Sequence, residues 1–172
     1  MKITIGRSDK ADFPELSLFD IDLKVDSGAY TSSIHCTDIQ EITLNDASHI
    51  QFTLLDPTHP LFNNSIFKTK KYTSKAVKSS NGITEIRFLI ATEINIFGQL
   101  FPIELTLTER NEMKFPILLG RKFLNKKFII DTTKKNLSYK LKTRTNAHCN
   151  FIKKPKIVFY QKTRRNSREK RP

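Results

Sequence analysis

The sequence has no tryptophan, and its 172 residues include only five glycines and two cysteines. Cys36 and Cys149 lie far apart, so the chain does not carry the disulfide framework of a small secreted domain. We therefore expect a reduced, cytoplasmic protein. Thirteen phenylalanines, within a hydrophobic content of 38%, can fill a core without tryptophan, and the length suits one domain.

Long apolar runs are also missing from the sequence. The first residues, "MKITIGRSDKADFPEL", contain no apolar stretch of the kind found in a signal peptide. No window approaches the roughly 18 uninterrupted apolar residues of a transmembrane helix. We expect neither a signal peptide nor a membrane span.

Acidic residues are scarce at the carboxyl end. Residues 141–172 carry 11 lysines and arginines and a single acid, Glu169, and so hold +10 of the net charge of +13. We predict a domain over residues 1–140 and a basic, flexible tail over residues 141–172. Such a tail could contact an anionic partner such as nucleic acid, a membrane surface or an acidic protein, or could only increase solubility.

Two motifs of cofactor chemistry are absent as well. The sequence contains no G-x-x-x-x-G-K-[ST] phosphate loop and no H-E-x-x-H pair, so nothing supports ATP or zinc, and we expect no cofactor. A metal interpretation would have to use His35, Cys36, His49 and His59, whose spacing fits no usual ligand pattern. We expect no metal site there, but a core cysteine and solvated histidines.

Short strands dominate the pattern that is present. Segments rich in Ile, Phe, Thr and Leu predict strands at 21–25, 49–55, 84–97, 101–107, 115–119 and 127–131. The one helix expected is short, "GRKFLNKK" at 120–127. Many strands with one short helix predict a mostly-β barrel or sandwich.

The strand at 21–25 ends at Asp26-Ser27-Gly28, which has the residue types of an acid catalyst. Two carboxyl groups held about 3 Å apart share one proton, so one can act as a base towards water while the other acts as an acid. Gly28 would permit the tight turn, and the Ser27 hydroxyl could bond to the partner loop. The alternative is an ordinary turn with Gly28 at positive φ.

A second segment, "FPILLGRKFL" at 115–124, favours the catalytic interpretation of Asp26 over the ordinary turn. Its apolar strand, glycine, arginine and short apolar helix resemble the segment that closes the fold of the retroviral proteases and their cellular relatives. The resemblance implies that Gly120 and Arg121 pack beside the catalytic loop, together with Ala29. The acid that pairs with the viral arginine has no counterpart near Tyr30, so Arg121 would bind a carbonyl, Glu112 or solvent.

The order of motifs is similar to one bacterial family in particular. "LKVDSGAYTSSIH", "KAVKSSNGITEIRFLI" and "IELTLTERNEMKFPILLGRKFL" resemble the retropepsin-like aspartic proteases associated with RimK-type ligases, which are often labelled ATP-dependent zinc proteases. The resemblance covers roughly residues 3–134. It implies a retropepsin-like closed barrel with one short helix near the end of the core, and an insertion at about 38–68.

One aspartate triplet in so short a chain implies a homodimer, with two copies of Asp26 facing each other. The only other candidate, Asp131-Thr132-Thr133, lacks glycine and is expected to be the turn after the last core strand. The retroviral pattern also implies a flap hairpin over the substrate, whose tip would be Ser79, Ser80, Asn81 and Gly82. An ordinary hairpin is the alternative.

Three functions follow from these patterns. The first is a homodimeric aspartic endopeptidase that hydrolyses peptide or protein substrates with water held between two Asp26 carboxylates. The second is a retropepsin-fold binding or accessory protein without catalysis, and the third is a nucleic-acid-associated protein acting through its tail. If RimK-type ligases are functional neighbours, an acidic, polyglutamate-like substrate would suit the basic tail.

Overall fold

The computed structural model describes residues 1–78, 84–109 and 114–149. This part of the chain is mostly β, and a one-turn 3-10 helix, Pro14–Leu16, joins the second and third strands. The strands are β1 (Ile3–Gly6), β2 (Ser8–Phe13), β3 (Leu18–Val25), β4 (Ser32–Leu44), β5 (Ala47–Leu54), β6 (Ile66–Thr69), β7 (Tyr72–Lys78), β8 (Thr84–Ile96), β9 (Gln99–Thr108), β10 (Ile117–Leu119) and β11 (Phe128–Asp131). The helices are α1 (Arg121–Leu124) and α2 (Leu137–Cys149).

Six strands pair in a closed ring, in the order β10, β3, β2, β8, β9, β4 and back to β10. The short strand β10 closes the ring, because it runs parallel to β3 on one side and antiparallel to β4 on the other. β1 and β11 form a separate two-stranded parallel sheet. The predicted mostly-β, retropepsin-like fold is confirmed, and each of the six predicted strand segments overlaps an observed strand.

The hydrophobic core lies inside this ring. Ile21, Leu23 and Val25 of β3 alternate inwards and are buried, as expected for a strand with one face on the core. Phe123 of α1 packs against Phe101 and Phe128, with ring centroids 6.1 and 5.6 Å away. A helix of one turn is held by such tertiary packing rather than by its own propensity.

Two hairpins extend beyond the ring. β4 continues past it to pair with β5, and β5 pairs with β6, so the insertion predicted at about 38–68 continues the sheet. β7 pairs with the first half of β8, from Tyr72 opposite Ile90 to Lys78 opposite Thr84. This β7–β8 hairpin is formed by the segments that were predicted to be the flap, and the flap role stays a prediction. The predicted tip, Ser79 to Gly82, lies outside the described residues.

Helix α2 was not predicted, and it crosses the boundary expected at residue 140. Its first turn is capped from a distant strand: Asp9, fully buried in β2, accepts hydrogen bonds from the N–H groups of Ser138 at 2.9 Å and Tyr139 at 3.0 Å. Lys142 adds ion pairs to Asp12 at 2.8 Å and Asp20 at 2.7 Å. Neither helix among the described residues has the length and apolar character needed to cross a membrane.

Asp9→Asn is expected to destabilise the protein by about 2 kcal/mol, because an amide NH2 would replace an oxygen that accepts a helix N–H. The free energy of unfolding, measured by denaturant titration, tests this expectation. The matched control is Asp38→Asn at an exposed position, where the change in stability should be close to zero. Equal effects of the two substitutions would contradict the capping role of Asp9.

Candidate active site

The candidate catalytic loop begins where β3 leaves the core. The N–H of Asp26 donates to the carbonyl oxygen of Leu119 in the neighbouring strand β10 at 3.0 Å. Asp26 Oδ1 then accepts hydrogen bonds from the N–H groups of Gly28 at 3.0 Å and Ala29 at 3.2 Å. The half-buried carboxylate is therefore oriented by its own loop, as in turns that begin with Asp or Asn.

The structure explains the glycine at position 28 by the space beside Asp26 and not by the backbone conformation considered above. Gly98 is the only glycine with positive φ in the described part of the chain, so a turn with Gly28 at positive φ is wrong. A Cβ at residue 28 would lie 3.2 Å from Asp26 Oδ1. Glycine leaves this side of the carboxylate open. The Ser27 side chain is exposed, and its bond to a partner loop stays a prediction.

The segment after β10 is bonded closely to the Asp26 loop, as the resemblance implied. The N–H groups of Arg121 and Lys122 donate to the carbonyl oxygens of Ala29 and Tyr30, both at 2.9 Å. The N–H of Gly120 donates to Ser32 Oγ at 3.0 Å. Ala29, Gly120 and Arg121 are thus brought to the same loop as Asp26.

Arg121 binds a carbonyl, which is one of the partners considered from the sequence. Its Nη1 donates to the carbonyl oxygen of Ser27 at 3.3 Å. Glu112, another partner considered, lies outside the described residues. The guanidinium therefore supports the backbone of the loop one residue beyond Asp26.

A cavity of about 730 Å³ opens between this loop and the β7–β8 hairpin. Asp26, Gly28, Ala29 and Arg121 line it on the loop side, and Lys75, Val77 and Arg87 line it on the hairpin side. Lys75 joins the two sides, because its Nζ donates to Thr31 Oγ1 at 3.3 Å and lies 5.1 Å from the centre of the Tyr30 ring. The hairpin stem and the candidate catalytic aspartate therefore line the same cavity.

Comparison with protein families agrees with this architecture. A family model described as the retropepsin-like aspartic endopeptidase RimB matches residues 4–141. The chain belongs to this RimB-like family. The match covers both the Asp26 loop and the Gly120–Arg121 segment.

The curated proteins that the chain matches are longer. The chain is 36% identical over 134 residues to a protein of Shewanella pealeana and to one of Shewanella halifaxensis, and 35% identical to one of Desulfotalea psychrophila. Each is named a probable alpha-L-glutamate ligase. The matched region is 76% of this chain but only 28% of each relative, so this RimB-like chain corresponds to a minor part of those proteins.

One solved structure has the same fold. The crystal structure of Lpg0085 from Legionella pneumophila, described as a protein of unknown function, matches with a TM-score of 0.59 and 22% identity. The match covers 80% of this chain and 99% of the Legionella chain. At this identity it shows the fold alone.

Two of the residues considered for a metal site, His35 and Cys36, are buried in the structure. His35 is buried and its Nε2 lies 3.0 Å from Asp56 Oδ2, so the expectation of a solvated histidine is wrong at this position. Cys36 is buried in the core as expected, and burial raises the pKa of its thiol. Within the described ranges, no three His, Cys, Asp or Glu side chains form a group that could hold a metal ion.

Asp131 is the last residue of β11 and begins the turn that follows, in agreement with the interpretation from sequence. Its Oδ1 accepts hydrogen bonds from the N–H of Thr133 at 3.0 Å and from the Thr133 hydroxyl at 2.6 Å. These bonds, and a further one from Lys134, lower the pKa of the Asp131 carboxyl to about 2. Asp131 is also not among the residues that line the cavity containing Asp26, so it does not supply the second half of an acid dyad there.

Sequence reasoning missed Lys75, Arg87 and Thr31 as residues of the cavity. Lys75 and Arg87 lie in segments assigned to the flap, but neither had been considered as a functional residue. A two-residue turn at Asn81-Gly82 would place Lys75 opposite Phe88 and on the other face from Arg87, so the sequence pattern did not pair the two cations. The observed register places them directly opposite each other.

Proposed function

We propose that the chain is an aspartic endopeptidase that works as a homodimer. The observation that carries the proposal is the position of Asp26: a half-exposed carboxylate oriented by the N–H groups of Gly28 and Ala29, facing a cavity covered by a hairpin. Membership of a family described as retropepsin-like aspartic endopeptidases supports it.

The proposed reaction uses one Asp26 carboxylate as a base and the other as an acid. The ionised carboxylate takes a proton from water, whose oxygen attacks the carbonyl carbon of the peptide bond. The protonated carboxyl of the other copy donates its proton to the carbonyl oxygen. The tetrahedral intermediate then breaks its C–N bond, and the amine leaves with the proton that was taken from water. One hydroxyl of the intermediate returns its proton to the second carboxylate as the new C=O bond forms, which restores the starting pair.

The second copy is required by this chemistry. Asp26-Ser27-Gly28 occurs once in the sequence, and Asp131 is engaged in a turn by Thr133. A twofold axis between two identical Asp26 loops would bring the two copies of the carboxylate side by side, with the catalytic water between them. The open side of Gly28 suits the approach of a second loop.

We further propose that the substrate is a peptide rich in glutamate. The curated relatives are named probable alpha-L-glutamate ligases, and this chain corresponds to a part of them. Lys75, Arg87 and Arg121 around the cavity would favour acidic side chains. A peptidase that cleaves glutamate-rich chains would reverse the effect of a ligase that makes them.

A mixing experiment tests the dimer. Wild-type protein is mixed with an equal amount of the Asp26→Asn variant under conditions in which subunits exchange, and hydrolysis of a glutamate-rich peptide is measured. If both carboxylates are needed, random exchange leaves about a quarter of the dimers with two wild-type chains. The activity should therefore fall to about half of that measured with the same amount of wild-type protein alone.

Addition of the same amount of Asp131→Asn protein is the control and should not inhibit, because that variant retains Asp26. If the Asp26→Asn chain leaves the wild-type activity unchanged under exchange, the active unit is a single chain and the dimeric dyad is wrong.

A further inference from the structure

Two cations face each other across the β7–β8 hairpin. Lys75 of β7 pairs directly with Arg87 of β8 in the antiparallel register. Side chains of directly opposed residues lie on the same face of the sheet. Both residues are half-buried and both line the cavity that contains Asp26.

This arrangement carries an electrostatic cost in the substrate-free protein. Like charges directly opposite each other destabilise a strand pair, and partial burial increases their repulsion. Arg87 Nε forms an ion pair with Glu85, two residues away on the same face of β8. Lys75 forms no ion pair among the residues that the structure describes; its contacts are the Thr31 hydroxyl and the Tyr30 ring.

Glu85 compensates the charge of Arg87, but the described part of the chain supplies no carboxylate for Lys75, whereas an anion bound between the two cations would. A carboxylate placed between the two groups could accept hydrogen bonds from the Lys75 ammonium and from the free edge of the Arg87 guanidinium. Charge-assisted bonds of this kind are stronger than neutral ones, and the guanidinium fork fits the two oxygens of a carboxylate.

We propose that Lys75 and Arg87 together form a carboxylate-binding pair that selects an acidic side chain in the peptide bound over Asp26. The pair determines specificity and takes no part in the chemical step. The proposal rests on the proposed peptidase function and identifies the residues of the same site that recognise the substrate.

Arg121 and Glu85 have different roles in this scheme. Arg121 also lines the cavity, but its Nη1 binds the Ser27 carbonyl and so supports the catalytic loop. The ion pair between Glu85 and Arg87 Nε already shows that this guanidinium binds a carboxylate. A substrate carboxylate would occupy the remaining donors.

Binding to full-length protein that carries Asp26→Asn, which prevents cleavage, tests the proposal. The probes are a fluorescently labelled oligoglutamate peptide and an oligoglutamine peptide of the same length, and the readout is fluorescence anisotropy. Lys75→Met should weaken oligoglutamate binding about tenfold and Lys75→Met/Arg87→Met about a hundredfold. Oligoglutamine binding should not change.

The matched control removes the same number of charges elsewhere. Lys68 and Lys70 are exposed, and neither lines the cavity. Lys68→Met/Lys70→Met should leave oligoglutamate affinity within about twofold, because it retains the cavity cations and the basic tail. Circular dichroism melting establishes that each variant is folded. If the double variant does not fold, the single Lys75→Met variant carries the test, since Lys75 contacts only Thr31 and Tyr30 in the described chain.

The outcomes separate this proposal from the peptidase function. Equal losses in the cavity variant and the control variant would assign binding to general charge or to the tail and overturn the proposal. So would unchanged oligoglutamate binding in the cavity variants. If oligoglutamate binds through Lys75 and Arg87 but wild-type protein cleaves no peptide, the specific site stands and the peptidase function fails. If cleavage depends on Asp26 but not on the two cations, the peptidase function stands and this assignment fails.

Discussion

Asp26→Asn is expected to reduce peptide hydrolysis at least about 10³-fold while leaving the fold unchanged. Asparagine can still accept the hydrogen bonds from the N–H groups of Gly28 and Ala29, because Oδ1 is retained. It can neither take a proton from water nor donate one as a carboxylic acid does. The loss should therefore appear in activity and not in the melting temperature or the oligomeric state.

The measurement is hydrolysis of a diverse peptide pool that includes glutamate-rich members, from acidic to neutral pH, with and without pepstatin. Asp131→Asn is the matched control, since it changes the other candidate triplet, Asp131-Thr132-Thr133, whose carboxylate is held by Thr133. We expect it to retain full activity. Wild-type protein that hydrolyses nothing in the pool would exclude the peptidase and leave the binding or accessory function.

Gly120→Ala is expected to lower the free energy of unfolding by about 3 kcal/mol and to abolish activity. A Cβ on Gly120 would lie 2.6 Å from the carbonyl carbon of Thr31 and 2.8 Å from the carbonyl oxygen of Tyr30. These are backbone atoms of the loop that follows Asp26, so they cannot rotate away as a side chain would. The φ of Gly120 is −86°, which alanine also adopts, so the cost is steric.

Gly98→Ala separates this effect from a general effect of losing glycine. Gly98 has a φ of +69° and nothing within 4 Å of the added Cβ. It should cost about 1 kcal/mol through backbone strain alone and leave activity unchanged. Denaturant unfolding and peptide hydrolysis are measured on both variants. A Gly120→Ala protein with wild-type stability and activity would contradict the close contact between the two loops.

The polar strands were the part of the fold that local pattern did not reveal. β2, "SDKADF", contains two aspartates that are buried in the structure, Asp9 and Asp12. Their partners are Ser138, Tyr139 and Lys142, which lie far along the chain. No local pattern reports that a charged residue will be buried by a helix so distant in sequence.

The same contacts explain why α2 was missed. The segment at 137–149 lacks an apolar stripe, and its cap comes from Asp9 rather than from a residue just before the helix. Asn136, directly before the helix, is a residue type favoured at helix N-termini, but without apolar periodicity after it the sequence did not indicate a helix. The predictions for the end of the basic tail and for the tip of the hairpin at 79–82 concern residues outside the described ranges and stay predictions.

By itself, the sequence determined that an apolar strand ends at Asp26-Ser27-Gly28 and that a second one leads into Gly120-Arg121. Both features depend on residue types that are adjacent in the chain, which is why their pattern identified the fold. Only the tertiary structure decided that Arg121 binds the Ser27 carbonyl, and that Lys75 and Arg87 lie opposite each other in the Asp26 cavity. Those relations depend on strand register and on the closing of the ring, which bring together residues that no local pattern connects.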